Sequence, residues 1–422
     1  MSSSFTVEQL KAAEAKLLLP TYERNAILFT GGKGVYLEDE HGNRYLDLLS
    51  GIGVNALGYG HPAIEEAIAG QSRRLLHISN LFYHPGQAEL ALRLTEMSGL
   101  DRAFFCNSGT EAWEAAMKLA RAYAGLLRSE GHAIGTKFLA IENSFHGRTF
   151  GSVSTTHKAK YREPFGPVVP GVEFVRFNDV GDLRSKFSSD ICAILMEPIQ
   201  GEGGIRPVSD EFFATARELT QSTGALLVAD EIQAGLGRTG KWFAYQHYGL
   251  LPDIVTVAKP LAGGLPLGAM LCTEPVSRAM HPGMHGTTFG GGPLACSVAI
   301  AVIDTIKSAS LLDHVTVVGA YFKNGLGALK QKHPSVVEVR GKGLMLAAEL
   351  ESADLAKTVL AKLLDRRILV NRTDETVLRF LPPYLLQREH VDTTLAAIDD
   401  ILTEQEAASS QRSQEATLQG GR

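Results

Sequence analysis

Two residues open the chemistry of this chain, because each stands where an apolar strand should leave no charge. Lys259 follows "DIVTVA" (253–258), and Asp230 follows "ALLVA" (225–229). Ile254, Val255, Thr256 and Val257 are β-branched and belong in a sheet interior, and Pro260 stops the strand. A lysine delivered there is costly unless it is used. Burial lowers its pKa, which suits a nucleophilic amine and Schiff-base chemistry. Asp230 reads as a helix cap, as a structural ion pair, or as the partner of a ligand cation such as a protonated ring nitrogen. "SGTE" (108–111) reads as a capping box between Ser108 and Glu111. It also reads as an anion site on the free amides of Gly109 and Thr110. The two readings are compatible, since Glu111 can fold back on the cap. A phosphate cradle, a carboxylate and an amine at neighbouring strand ends suggest pyridoxal phosphate: the phosphate needs amides, the pyridinium a carboxylate, the aldehyde a lysine.

Something must bring these residues together, and the run of apolar segments supplies it. "RAFFC" (102–106), "KFLAI" (137–141), "VEFVRF" (172–177), "ICAILM" (191–196), "ALLVA", "DIVTVA" and "GAMLC" (268–272) are continuous rather than alternating. Helical segments such as 111–127 and 209–223 separate most of them. That rhythm predicts an α/β domain with a mainly parallel seven-stranded sheet. Ligands bind beyond the carboxyl ends of such strands, and five of these ends carry polar or ionisable residues. The hairpin "GVYLEDEHGNRYLDLL" (34–49) precedes this domain, after a helix within 1–18. After about 306, helices near 313–332, 353–366 and 389–403 alternate with "VVEVRGKGLMLAAEL", "ILVNR" and "TVLRFLPP", which predicts a smaller α+β domain. The expected division is an N-terminal segment (1–60) that joins the small domain and lines substrate access, a large domain (61–305), a small domain (306–403) and a disordered tail (404–422).

The bulk numbers narrow the class. Of 422 residues 45% are hydrophobic, which favours a globular body, and 41 basic against 46 acidic residues give a net charge of −5. That balance argues against a nucleic-acid footprint or a polybasic membrane surface. No secretory signal or membrane span is expected, and Cys106, Cys192, Cys272 and Cys296 read as reduced thiols of a cytoplasmic protein. "GGKG" (31–34) lacks the spacing of a phosphate loop, and no GxGxxG follows the first strand, which argues against a nucleotide-dependent enzyme. His281 and His285 read as loop residues and no metal site is expected. Tyr22 and Arg24 are candidates for substrate access, and "LFYHP" (81–85) for core or interface.

"NSGTEAWEAAMKLAR", "SFHGRT", "EPIQGEGG", "ADEIQAGLGRTG", "TVAKPLAGGLPLGAM" and "HGTTFGGGPLAC" resemble, in order from about 20 to 403, the class III pyridoxal-phosphate aminotransferases of fold type I. The resemblance implies that Lys259 carries the cofactor and shuttles the proton, while Asp230 holds the ring nitrogen. It implies that Gln233 lies near the cofactor's 3′-oxygen, with Ile232 and Phe145 on the two ring faces and Glu197 at the ring side. Ser108, Gly109 and Thr110 would take the phosphate, and Thr288 would reach the neighbouring subunit's cofactor phosphate, with Thr287 near the substrate. A homodimer with shared sites follows. Arg148 matches the arginine that grips the α-carboxylate. Glu202 and Arg379 resemble a switch pair, in which Glu202 masks Arg379 for amine donors and releases it for glutamate or 2-oxoglutarate. Two departures stand out: Trp113 replaces a usual Asn, and Gly292 interrupts the usual "GGNP".

Within the class, "SNLFYHPGQAELALRLTEMSGLDRAFFCNSGTEA" and "LVNRTDETVLRFLPP" are most similar to enzymes acting on acetylornithine. The resemblance then implies transfer of the δ-amino group of N2-acetylornithine to 2-oxoglutarate, a step of arginine biosynthesis, by a ping-pong cycle. The alternatives are another ω-amine donor (ornithine, succinylornithine, succinyl-diaminopimelate, acetyl-lysine or 4-aminobutyrate) or an aminomutase of the same fold, which the Glu202/Arg379 pair argues against.

Overall fold

The computed structural model describes residues 5–420, with side chains described through residue 408. Residues 1–4 and 421–422, the outermost parts of the N-terminal segment and the tail, lie outside the described residues. The seven apolar runs become one seven-stranded sheet. In spatial order its strands are Arg102–Cys106, Gly268–Cys272, Ile254–Val257, Leu226–Asp230, Ile191–Met196, Lys137–Ile141 and Val172–Val175. Gly268–Cys272 alone runs antiparallel to its two neighbours, and the other pairings are parallel.

The central strands are buried on both faces, which is why they read as unbroken apolar runs. The long helix Gly109–Ser129 lays Trp113, Ala116, Ala120 and Ala124 on one face. Helix Asp210–Thr223 lays Phe212 and Phe213 on the other, and Pro293–Ser308 adds Cys296 and Ala299 there.

Before the large sheet, Phe29–Lys33, Tyr36–Asp39 and Arg44–Asp47 form an antiparallel meander. Its His-Gly-Asn turn closes because the Asp39 carboxylate accepts the His41 and Asn43 amides at 2.9 and 2.8 Å. The last of these strands pairs in parallel with Ile368–Leu369, far along the chain. Residues from both ends also share one apolar core, in which Val35, Leu46 and Leu57 meet Phe322, Leu346 and Phe380. A second antiparallel sheet has the order Val336–Lys342, Met345–Leu350, Val377–Phe380, Asn371–Thr373.

The closing helix starts at Arg388 and is described through Gly420, entering the stretch expected to be a disordered tail. Its Ala-, Glu- and Gln-rich sequence favours helix without offering an apolar face. The continuation is anchored where it leaves the core. Glu404 takes Lys362 at 2.6 Å, and His333 stands between Asp399 (2.7 Å) and Glu406 (3.0 Å). No single helix among the described residues is long and apolar enough to cross a membrane.

Candidate active site

Five strand ends converge on a cavity of about 320 Å³, lined by Ser108, Gly109, Thr110, Phe145, His146, Glu197, Glu202, Asp230, Ile232, Gln233 and Lys259, among others. Its size lies in the small-molecule range, roughly 300–1,000 Å³. Lys259 enters it at the end of Ile254–Val257, where the chain turns into a short 3-10 helix, Lys259–Ala262. Its backbone φ of 21° lies in the left-handed region, a strained conformation of the kind found at functional sites. The amine makes no hydrogen bond and no ion pair to any described residue, so it is free to face the cavity. Burial lowers its pKa below the ordinary lysine value, only partly offset by the charges of Asp230 and Glu202. An uncommitted amine that deprotonates readily is a nucleophile.

Asp230 ends the adjacent strand in register with Thr256. It is buried, and its carboxylate is held from three sides: His146 Nδ1 at 2.7 Å, the Ile232 amide at 3.0 Å and the Thr256 hydroxyl at 3.5 Å. A carboxylate accepts, so His146 donates through Nδ1; its Nε2 is buried without a partner among the described residues. The imidazole is held flat by Trp113, whose indole stacks on it at 3.9 Å with planes 7° apart. Trp113 Nε1 in turn donates to Thr155 Oγ1 at 2.9 Å.

The Gly109–Ser129 helix presents its N-terminus to the same cavity. Ser108 caps the Glu111 amide at 3.3 Å, and the Glu111 carboxylate folds back onto the Asn107 amide and the Ser108 hydroxyl, both at 2.9 Å. The acid is thereby turned away from the helix end. The amides of Gly109 and Thr110 have no acceptor among the described residues. Close packing explains two glycines here. A Cβ on Gly109 would meet Ile232 Cγ2 at 2.8 Å, and one on Gly147, whose φ is 135°, would meet Thr110 Oγ1 at 2.5 Å.

Glu197 is buried and accepts the Phe145 and Gly201 amides at 2.9 and 2.8 Å. Burial, reinforced by the nearby Asp230 charge, pushes its pKa well above the ordinary carboxylate range. Glu202 pairs with Arg379 Nη1 at 2.5 Å. Burial would raise its pKa, but the Arg379 charge and hydrogen bond, with Lys259 and Lys158, bring it below the ordinary value. Arg379 also donates to Asn371 Oδ1 at 3.0 Å and lies 3.4 Å from Gln233 Oε1.

Not every expected residue reaches the cavity. Arg148 is exposed and stacks over Tyr161 at 3.9 Å. Thr287 accepts from Asn107 at 3.1 Å, and Thr288 is exposed beside Phe289. Tyr22 and Arg24 line a separate groove against the helix Val7–Leu17. His285 sits by Lys118 at 2.8 Å. Gly292 is the N-cap of Pro293–Ser308 and supplies no side-chain acceptor. Asn107, His146 and Val54 line the cavity without having been singled out as binding residues. His146 was within reach of sequence reasoning, since buried Asp230 demands a donor and "SFHGRT" puts a histidine at the next-but-one strand end. Val54 gave no signal.

These residues fit pyridoxal phosphate by their own chemistry. Unused helix-start amides suit a phosphate, a locked carboxylate suits a protonated ring nitrogen, and an unpartnered amine suits an aldehyde. Comparison with known proteins agrees. The class-III aminotransferase model matches residues 20–402. The chain is 45% identical to an acetylornithine aminotransferase of Methanocaldococcus jannaschii, over 93% of this chain and 97% of that one. It is also 45% identical to acetylornithine aminotransferase 1 of Bordetella pertussis, over 88% and 93%. Among solved structures, the ornithine aminotransferase of Toxoplasma gondii ME49 superposes with a TM-score of 0.91 at 32% identity, covering 96% of this chain and 97% of that one. The acetylornithine aminotransferase of Elizabethkingia anophelis gives 0.83 at 30%, covering 95% and 100%. The chain belongs to the class-III aminotransferases.

Proposed function

We propose that this class-III aminotransferase moves the δ-amino group of N2-acetylornithine to 2-oxoglutarate, giving N-acetylglutamate 5-semialdehyde and glutamate in two alternating half-reactions. The observation that carries the reaction type is the free, buried-strand amine of Lys259 beside the locked carboxylate of Asp230. Identity of 45% to acetylornithine aminotransferases over nearly the whole chain supports the donor. Pyridoxal 5′-phosphate, when bound, supplies the aldehyde that takes up the amino group and the ring that withdraws electrons.

The chain's own residues divide the remaining work. Gly109 and Thr110 amides, with Ser108, would bind the phosphate. Asp230, aimed by His146, would hold a proton on the ring nitrogen; Gln233, Glu197, Phe145 and Ile232, which line the cavity, would enclose the ring. Lys259 Nζ takes and returns the proton at the carbon that bears the nitrogen. Arg148, 5.6 Å over the ring of cavity-lining Phe145, would reach in to grip the α-carboxylate of the donor. Arg379, paired with Glu202 for the amine, would be released to bind a carboxylate of 2-oxoglutarate once Glu202 moves aside.

A homodimer with shared sites is part of the same proposal. Leu81, Phe82, Tyr83 and Phe289 are 88, 65, 105 and 67% exposed, an apolar surface that a second copy would cover. Thr288 and Thr287 belong to that surface and would complete the neighbouring site. The division into a large domain (61–305) and a small one (306–403) joined by residues 1–60 is likewise proposed. The shared core of Val35 and Phe380 supports it. So is a cytoplasmic setting, in keeping with four buried cysteines whose thiols burial pushes up to about 12.

The likeness to an ornithine aminotransferase structure favours free ornithine as the rival donor. A panel of N2-acetylornithine, ornithine, succinylornithine and 4-aminobutyrate with 2-oxoglutarate decides. N2-acetylornithine should give the highest kcat/KM, and a large advantage for ornithine or 4-aminobutyrate would overturn the reading.

A further inference from the structure

The Glu202–Arg379 pair has a third participant. Arg379 lies on the strand Val377–Phe380, directly opposite Asn371 in the antiparallel pairing with Asn371–Thr373. Asn371 Oδ1 accepts from Arg379 Nε at 3.0 Å, while Glu202 Oε1 accepts from Nη1 at 2.5 Å. The two acceptors thus occupy different nitrogens of one fork. Two residues along the same short strand, the Thr373 hydroxyl donates to the Glu202 carbonyl at 2.8 Å. Arg340 Nε adds a second anchor on the same loop, at the Gly204 carbonyl, 2.8 Å away.

The strand Asn371–Thr373 therefore holds the arginine through its side chain and the glutamate through its backbone. Only the Glu202 carboxylate, whose side chain is 30% exposed, is left to move, because Arg379 is 1% exposed and fixed at Nε. A guanidinium that keeps one edge anchored presents its other edge without losing its aim, so less ordering is needed when a carboxylate arrives.

We propose that Asn371 is a positioning residue for the acceptor half-reaction: it holds Arg379 in place when Glu202 withdraws, and so favours dicarboxylates over the amine donor. This rests on the reading of Glu202 and Arg379 given above. Asn371→Ala and the near-isosteric Asn371→Asp test it, in the cofactor-loaded enzyme, with each half-reaction followed separately by the cofactor's absorbance. In Asn371→Ala the KM for 2-oxoglutarate should rise about tenfold relative to that for the amine donor, the scale of a lost hydrogen bond to a charged group. In Asn371→Asp the ratio should rise further, since a second carboxylate neutralises Arg379 and repels the acceptor. Equal changes in both half-reactions, or no change in either, overturn the proposal, because a merely structural asparagine has no preference between them. Arg379→Lys, run alongside, separates the two ideas. If it leaves 2-oxoglutarate unaffected, the switch itself is wrong. If it raises that KM while the Asn371 variants are silent, only the role of Asn371 falls.

Discussion

Asp230 and Glu202 face the same cavity, each against one cationic or cation-capable side chain, yet they are held in opposite ways. Asp230 is 4% exposed and takes three donors, one of them an imidazole clamped by an indole. Glu202 is partly exposed, and among the described residues its carboxylate has Arg379 as its one ion-pair partner. On the proposed reading, the charge needed through the whole cycle is over-determined by its surroundings, and the charge that steps aside is held by one ion-pair partner among the described residues and left on the open side. Redundant hydrogen bonding marks the permanent element, and a single charge-assisted bond marks the movable one.

The strongest way to break this contrast is at the locked end. Asp230→Asn keeps the shape and the His146 neighbour but removes the negative charge, and kcat should fall about 10²–10³-fold, the scale of a lost preorganised electrostatic group. Activity within a few-fold of the parent would show that the locked carboxylate is structural. At the movable end, Glu202→Ala leaves Arg379 buried without its counter-charge. The cost is up to about 3 kcal/mol of stability, at the low end for a buried pair because Glu202 is partly exposed. Thermal melts should show the loss, and glutarate should restore much of it by binding the bared arginine. A melt indifferent to glutarate would show that Arg379 does not receive carboxylates.

Glu231, the next residue after Asp230, sharpens the comparison, because it is as buried and pairs with no cation among the described residues. It accepts the Ala244 and Tyr245 amides at 2.9 and 2.8 Å. Burial pushes its pKa up from 4.5 to about 8. Between those values the folded protein keeps a proton that the unfolded chain has released. Stability is therefore full below the unfolded pKa and falls as pH rises through the window, by at most about 1.4 kcal/mol per pH unit. Glu231→Gln should flatten that fall between about pH 5 and pH 8 in denaturant titrations. An unchanged slope would show that Glu231 is ionised in the fold.

The large sheet was legible because its strands are buried on both faces, so "ICAILM" and "GAMLC" coincide with strands residue for residue. Lys259 and Asp230 were legible for the same reason, as charges that such strands should not carry. What escaped reading depends on distant pairings. The strand Phe29–Lys33, "FTGGK", has little β-propensity and is fixed by its partner Tyr36–Asp39. Asn371 is one polar residue in "ILVNR" until the register places it opposite Arg379. The helix described beyond 403 is hard to read from its low apolarity; its alanine, glutamate and glutamine favour helix, and Glu404 and Glu406 find partners.

The indole of Trp113 has a consequence outside catalysis. The chain has two tryptophans, Trp113 and Trp242. The first lies flat on the imidazole that holds Asp230, with no solvent exposure. A near-ultraviolet absorber seated in the cavity should therefore quench its emission. The protein would thus carry its own fluorescent gauge, one side chain away from Asp230, and a Trp242→Phe background would leave the site to report on itself in emitted light.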